Sequence, residues 1–403
     1  MSYQKGVIKM VIIFFILQIF FLCSMVLVYL LPNHFVEDSV KDGMYYLSDY
    51  EGKYPLMFFY EDGAVLDNST DSLMLETAVQ EGNNPINKAM VPTYSRYWHG
   101  YQLYLRPLLA GFNYAQIRYF VYIFSMLLFA VGFYCIAKYI NMLTGILWAF
   151  SILLSRFCVV SVSLQYVSCF NITFMTVIWL CLNRESYVTG KKDIYILFLI
   201  VGAVTNFVDF LTVPMLTLGV PLIIYLLLIM KNEDYHILHG IKKVILCSIS
   251  WCLAYGLTWI FKWLLGTLIL KQNVFDSAVS QGVFRVAGNE EYPLDRALMY
   301  QKNIECLLGT TGKILFISIV IVWIIFMICS RKPWKVCLKI APVLLLSLYP
   351  YIWYGFMANH SQIHAMFTYR LQIITAFSIL ASMGYCIDTK KLKHQFHKEN
   401  HHG

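Results

Sequence analysis

Charge is what this sequence has least of. Asp, Glu, Lys and Arg make up 13% of its 403 residues, where a soluble globular chain carries about a quarter. That shortage, with 59% apolar residues and a mean hydropathy of +0.61, excludes a cytosolic enzyme and a disordered chain. A disulfide framework and a zinc-ligand spacing are also missing. The 11 cysteines fall almost wholly in apolar runs, with none between residues 32 and 117, which excludes a secreted disulfide scaffold. No internal repeat is visible. The net charge of +8 has no soluble basic face to carry it, so nucleic acid is not an expected partner.

What is present is apolar sequence in runs of about 20 residues, each long enough to cross a ~30 Å hydrocarbon core as a helix. Ten spans are expected, at 7–31, 116–137, 142–160, 163–182, 193–208, 211–230, 244–268, 314–330, 336–355 and 371–387. The fold class expected is an all-α integral membrane protein, a single polytopic domain embedded in the lipid bilayer. It divides into an N-terminal anchor span (7–31), an extracytoplasmic loop (32–115), a membrane bundle (116–268), a second extracytoplasmic loop (271–312), C-terminal spans (314–387) and a cytoplasmic tail (388–403). The first apolar run, about 25 residues long, exceeds a signal-peptide core and reads as an uncleaved anchor.

Lys5, Lys9, Lys138, Arg184, Lys191, Lys192, Lys231, Lys242, Lys243, Arg331, Lys332, Lys335 and the tail cluster Lys390, Lys391, Lys393 and Lys398 all fall on one side of that topology. Cytoplasmic loops hold the excess of positive charge, so both termini are expected in the cytoplasm of a cell-membrane protein.

The 32–115 loop gathers 11 of the 23 acidic residues: Glu37, Asp38, Asp42, Asp49, Glu51, Glu61, Asp62, Asp67, Asp71, Glu76 and Glu81. It is too long for a connector and too rich in Tyr, Trp, Leu and Met for a disordered linker. Asp67 and Asp71 stand just before a helix-like run that ends at Gly82. Asp71 fits an N-cap, and the pair equally fits a base for an acceptor hydroxyl or a divalent-cation site.

Residues 94–114 read as a bent amphipathic helix at the membrane interface, with Tyr101, Tyr104, Leu105, Leu108, Leu109 and Phe112 at helical spacing and Pro107 as the bend. Tyr97, Trp98 and Tyr101 suit an aromatic belt. Arg96 and His99 among them suit a phosphate beside a sugar ring.

The second loop reads as a cover over the bundle, without chemistry assigned to it. His360 and His364, four residues apart and followed by Arg370, suit recognition of a lipid phosphate, two-ligand metal binding, or a structural interfacial turn. Asp209, in Asn206-Phe207-Val208-Asp209-Phe210, is an ionisable group in apolar sequence and fits either a site or a helix cap. Arg156, Ser161, Ser163, Gln165, Ser168 and Asn171 add a polar lining to the outer half of the third and fourth spans, which fits helix–helix packing.

This layout of anchor span, long acidic first loop, interfacial helix and many further spans resembles membrane glycosyltransferases of the GT-C type. The resemblance covers the whole chain as architecture. It implies transfer of a sugar from a polyprenyl-phosphate-linked donor to an extracytoplasmic glycan or glycolipid acceptor. A carboxylate of the first loop would serve as base or metal ligand, and basic residues near the membrane surface would hold the lipid phosphate. Glu37 and Asp38 stand where that family's acidic motif follows the first span, although without a clear Asp-Glu or Asp-Asp context. Asp67 and Asp71 fit the chemistry better. The substrate-binding set is then Arg96, Trp98, His99, Asp209, His360, His364 and Arg370, with a divalent metal left open. A transporter or flippase of lipid-linked saccharides, or a non-catalytic membrane subunit, is the alternative. The first of these calls for ionisable residues deep in the spans, where the sequence has only Lys262 and the borderline Asp209.

Overall fold

In the computed structural model the described residues are 2–57, 62–388 and 391. Glu61, Lys390, Lys393, Lys398 and the tail histidines lie outside them. The described chain is helical, with three isolated β-bridges, Leu56 to Val65, Gly288 to Pro293 and Arg331 to Ile387, and no strand.

Helix α1 (Ser2–Tyr29) is followed by the long loop, which holds α2 (Glu37–Tyr45), α3 (Asn68–Glu76), α4 (Pro85–Ala89) and α5 (Gln102–Leu109). The bundle continues through α6 (Tyr114–Tyr139), α7 (Met142–Leu153), α8 (Phe157–Val160), α9 (Leu164–Leu182), α10 (Arg184–Val188), α11 (Ile194–Val208), α12 (Leu216–Ile229) and α13 (Ile237–Leu270). After α14 (Val274–Ala287) and α15 (Arg296–Ser330) come α16 (Trp334–Cys337), α17 (Ala341–Leu345), α18 (Tyr349–Phe356), α19 (Ala358–Ile363), α20 (Ala365–Thr368) and α21 (Ile373–Cys386).

Among the described residues six helical stretches are long and apolar enough to cross a membrane: Lys5–Tyr29, Tyr114–Tyr139, Leu164–Leu182, Ile237–Leu270, Trp334–Phe356 and Ala365–Cys386. Helix α15 makes a seventh if its two parts count as one, for it bends by 84° between Arg296–Gly309 and Gly312–Ile328, with Gly309 at φ 52°. The protein is therefore an all-α protein built for a membrane, with fewer full-length spans than the ten apolar runs imply.

The remaining three runs form α7, α11 and α12, of 12, 15 and 14 residues. At 1.5 Å per residue these reach only about 18 to 23 Å of a ~30 Å core. The run at 142–160 is cut because Arg156 takes a left-handed φ of 55°. Helix α12 is buried along its entire length, which is what an apolar surface on every side requires when protein rather than lipid surrounds it.

The anchor α1 shows how one apolar run serves two surroundings. Phe14, Gln18, Phe21, Met25 and Tyr29 are buried, while Val11, Phe15, Ile19 and Leu27 are exposed. The buried stripe recurs every three to four residues and faces α4, α5, α11 and α13. Its one polar member, Gln18, donates from Nε2 to Thr258 Oγ1 at 3.0 Å.

At the far end of α1 the guanidinium of Arg106, itself fully buried, donates to the carbonyls of Val28 and Leu31 and to Asn33 Oδ1. A cation there satisfies the carbonyls that a helix C-terminus leaves open. Lys262 of α13 does the same for α4, donating to the carbonyl of its C-cap Met90 at 2.8 Å and so tying the span to the long loop. Glycine permits the closest backbone contacts. A Cβ on Gly202 of α11 would come within 2.4 Å of Trp251 O on α13, and one on Gly219 within 2.7 Å of Ile374.

Candidate functional site

Helix α3 packs on α2 and on the N-terminus of α9, and this contact fixes both aspartates. Asp67 caps its own helix, accepting from Thr70 N at 3.0 Å and Thr70 Oγ1 at 2.7 Å. Asp71 caps α9 instead. It accepts from Leu164 N at 3.0 Å, Gln165 N at 2.9 Å, Ser163 Oγ at 3.2 Å and Tyr114 OH at 2.9 Å. The N-cap expected at Asp71 thus belongs to Asp67, and Asp71 supplies a cap to a distant helix.

Both carboxyls are buried. Burial pushes each above its ordinary range, against the opposing pull of their hydrogen-bond donors and, for Asp71, of Arg118. Arg118 lies beside the pair, paired with Glu51 at 2.8 Å and donating to Asn68 Oδ1 at 3.2 Å. Glu51 is held below its usual range. Burial opposes this, but the hydrogen bond and charge of Arg118 outweigh it.

Glu37 and Asp38 stand apart, in the solvent-facing first turn of α2. There their charge complements a helix N-terminus, and neither makes a side-chain hydrogen bond to another described residue.

A second group forms where α14 meets α19. Arg285 Nη1 donates to His360 Nδ1 at 3.2 Å, and His360 Nε2 lies 3.0 Å from Leu211 O. A carbonyl only accepts, so His360 carries its proton on Nε2 and is neutral. Burial first, then Arg285 and His364, hold it well below the usual histidine range. His364, with its ring centre 4.8 Å from that of His360, is held down at about 4 by burial and Arg285. Tyr97, buried and pushed up to about 12 by burial, lies within electrostatic reach of Arg285, Arg96 and Asp209. Asp209 closes a turn after α11, accepting from Thr212 N at 2.9 Å and from Thr212 Oγ1 at 2.5 Å.

The aromatic segment before α5 is buried within the protein. Trp98 is fully buried, donating to Thr258 O at 3.0 Å and packing edge-on against Phe21 and Phe207. His99 takes φ 58°. It donates from Nε2 to Tyr94 O at 2.8 Å and accepts from Tyr101 OH at 2.7 Å. Burial holds its imidazole at about 3, so it is a neutral strut. Arg96 reaches out to Ser277 Oγ at 3.0 Å and lies over the ring of Tyr94.

Arg370 links the two groups. It is buried to 1% exposure and donates to Ser155 O, Met366 O and Gly63 O. These use three of its five N–H donors, and no carboxylate among the described residues pairs with it. Its guanidinium lies 4.3 Å from the ring centre of Tyr166, and Tyr166 is also within electrostatic reach of Asp67 and Asp71. On its other side Tyr166 meets Phe367 at 5.8 Å, and Phe367 stacks on His364 at 5.0 Å. A continuous line of rings therefore joins the carboxylate pair, Arg370 and the Arg285–histidine group.

No protein-family model, curated protein or solved structure matches this chain.

Among the described residues no group of three or more His, Cys, Asp or Glu side chains is placed to hold a metal ion, and both ring nitrogens of His360 are engaged. The site gains residues that the sequence did not single out. Arg285 comes from the second loop, whose role was expected to be cover alone, and Arg118, Glu51 and Tyr114 complete the carboxylate group. Only the position of Arg118 inside an apolar run marks it out in the sequence. Arg285 sits in mixed sequence and carries no such mark.

Proposed function

We propose that the protein is a membrane glycosyltransferase that moves a sugar from a polyprenyl-phosphate-linked donor to a glycan or glycolipid acceptor on the loop-bearing side. In this reading that side is extracytoplasmic and both termini are cytoplasmic, as the placement of Lys and Arg favours. One observation carries the reading. Arg370 is a buried cation with no carboxylate partner among the described residues, one aromatic ring from a pair of carboxylates.

Such a cation suits a phosphate that leaves with the developing charge. Arg285, hydrogen-bonded to the neutral His360 and close to His364, supplies a second positive group along the same line of rings. Tyr166, with Arg370 over its ring, lies between the cation and the carboxylates. For an acceptor to be deprotonated, Asp67 is the better placed base. Its contacts are confined to Thr70 and α9, whereas Asp71 is fully used in closing α9. In the transfer the acceptor oxygen bonds to the anomeric carbon, the bond from that carbon to the donor phosphate oxygen breaks, and the acceptor proton passes to the carboxylate.

The test is transfer of radiolabelled sugar from defined polyprenyl-phosphate sugars in proteoliposomes holding the purified protein. Label appearing in an acceptor in proportion to protein supports the reading. Its absence across hexose, pentose and amino-sugar donors, with correctly folded protein, overturns it.

A further inference from the structure

The side of the molecule opposite the long loop holds a groove that the transfer reading does not use. It opens between α1, α9 and α11, with a volume of about 580 Å³. Its walls are apolar, formed by residues such as Ile172, Met175, Ile196 and Ile200, and its polar groups gather at one end. That end carries Lys9, Lys191 and Lys192, from two segments far apart in sequence.

The lysines meet little opposition. Lys9 and Lys191 make no hydrogen bond or ion pair with other described residues. Lys192 donates to Asn183 Oδ1 at 2.6 Å and lies 4.8 Å from the ring centre of Trp179. Asp193, which also lines the groove, caps α11 by accepting from Tyr195 N at 2.9 Å, so the three lysines face a single carboxylate there. Tyr187 OH accepts from Trp179 Nε1 at 2.9 Å, which leaves its own hydrogen to donate into the same end.

The groove also has the length of one leaflet. From Ile194 to Val204 the wall of α11 rises about 15 Å, half of a ~30 Å hydrocarbon core. At that depth it meets a second apolar cavity of about 430 Å³, with which it shares Ile172, Met175 and Val204. A headgroup-sized cluster of cations at one end of a leaflet-deep apolar channel has the polarity of an anionic lipid lying along it.

We propose that this groove binds one anionic phospholipid of the bilayer, its phosphate held by Lys9, Lys191, Lys192 and Tyr187 and an acyl chain laid along α9 and α11. The site is independent of the glycosyl-transfer reading, since it needs neither the carboxylates nor Arg370. Its occupant meets the charge of three lysines at close range, where clustered lysines beside a membrane favour anionic headgroups.

Native mass spectrometry of the full-length protein, released from micelles supplemented with equal phosphatidylglycerol and phosphatidylcholine, reads the site directly. One retained phosphatidylglycerol per chain is expected. The triple variant Lys9→Gln, Lys191→Gln, Lys192→Gln should lower its retention about tenfold or more. The matched triple Lys242→Gln, Lys243→Gln, Lys335→Gln, which removes equal charge elsewhere, should retain it. Ile200→Trp, filling the channel while keeping the lysines, should also reduce retention. Equal retention of the two lipids, or equal loss in the two triple variants, would show only diffuse attraction and overturn the proposal. Displacement of phosphatidylglycerol by equimolar polyprenyl phosphate would assign the groove to the donor lipid instead, and would overturn it as well.

Discussion

Asp71 and Gln165 meet at 2.9 Å, carboxylate oxygen to backbone nitrogen, across 94 positions of sequence. With Leu164 N on its other oxygen, the side chain closes the N-terminus of a membrane helix from a separate loop. Asp71→Asn replaces one acceptor oxygen with an NH2 group that faces donors. It should lower the melting temperature of the detergent-solubilised protein, with a loss of about 1 to 3 kcal/mol. A variant that loses sugar transfer with an unchanged melting temperature would return Asp71 to a chemical role.

Arg370→Lys keeps a positive charge but not a planar fork, and a lysine cannot hold three carbonyls while also facing a phosphate with a bidentate edge. Transfer in the proteoliposome assay should fall about a hundredfold, the scale of losing a charge-stabilising donor. Wild-type rates in this variant would remove Arg370 from the site.

Acid should destabilise the protein through its buried histidines. His364 is held at about 4 and His99 at about 3, both below an unfolded value of about 6.5. The unfolded chain therefore binds more protons than the folded one, so the stability these groups contribute is complete above pH ~6.5 and is lost as pH falls through their folded values. Asp67 and Asp71, raised by burial, work in the opposite sense above pH ~3.8, where the folded state keeps protons that the unfolded state has released. Thermal melts of wild type and His364→Gln between pH 7 and pH 4 separate the two, and the variant should show the shallower decline on acidification.

Gly202→Ala should pry α11 from α13, because the added carbon falls 2.4 Å from a backbone oxygen that cannot move alone. A clear loss of folded yield in detergent is expected, as for small residues at other membrane helix contacts. An unchanged melting temperature would mean that the two helices separate easily.

The helices were legible from apolar run length, but run length alone could not tell lipid from protein as the surrounding medium. Leu216–Ile229 and Tyr114–Tyr139 both read as spans, yet the first is buried throughout and the second mostly faces outward. Gln18 was the one letter in the anchor that marked its protein-facing stripe. Asp67 and Asp71 were legible as a pair at a helix start. Which helix each one caps was not, because the partner of Asp71 lies across the fold. Arg285 was invisible for the same reason, since its role depends on α14 lying against α19.

Helix α12 has neighbours in α9, α11, α13, α17 and α21, and no side of it is left for lipid. A segment this greasy enters the membrane easily but cannot remain at its boundary once the fold is complete. Because α17 and α21 follow it in the chain, two of its walls are still missing when α12 is made. Helix α21 then closes the wall that α12 lacks until that point. A chain cut before Ile373 would leave its greasiest helix without its last wall.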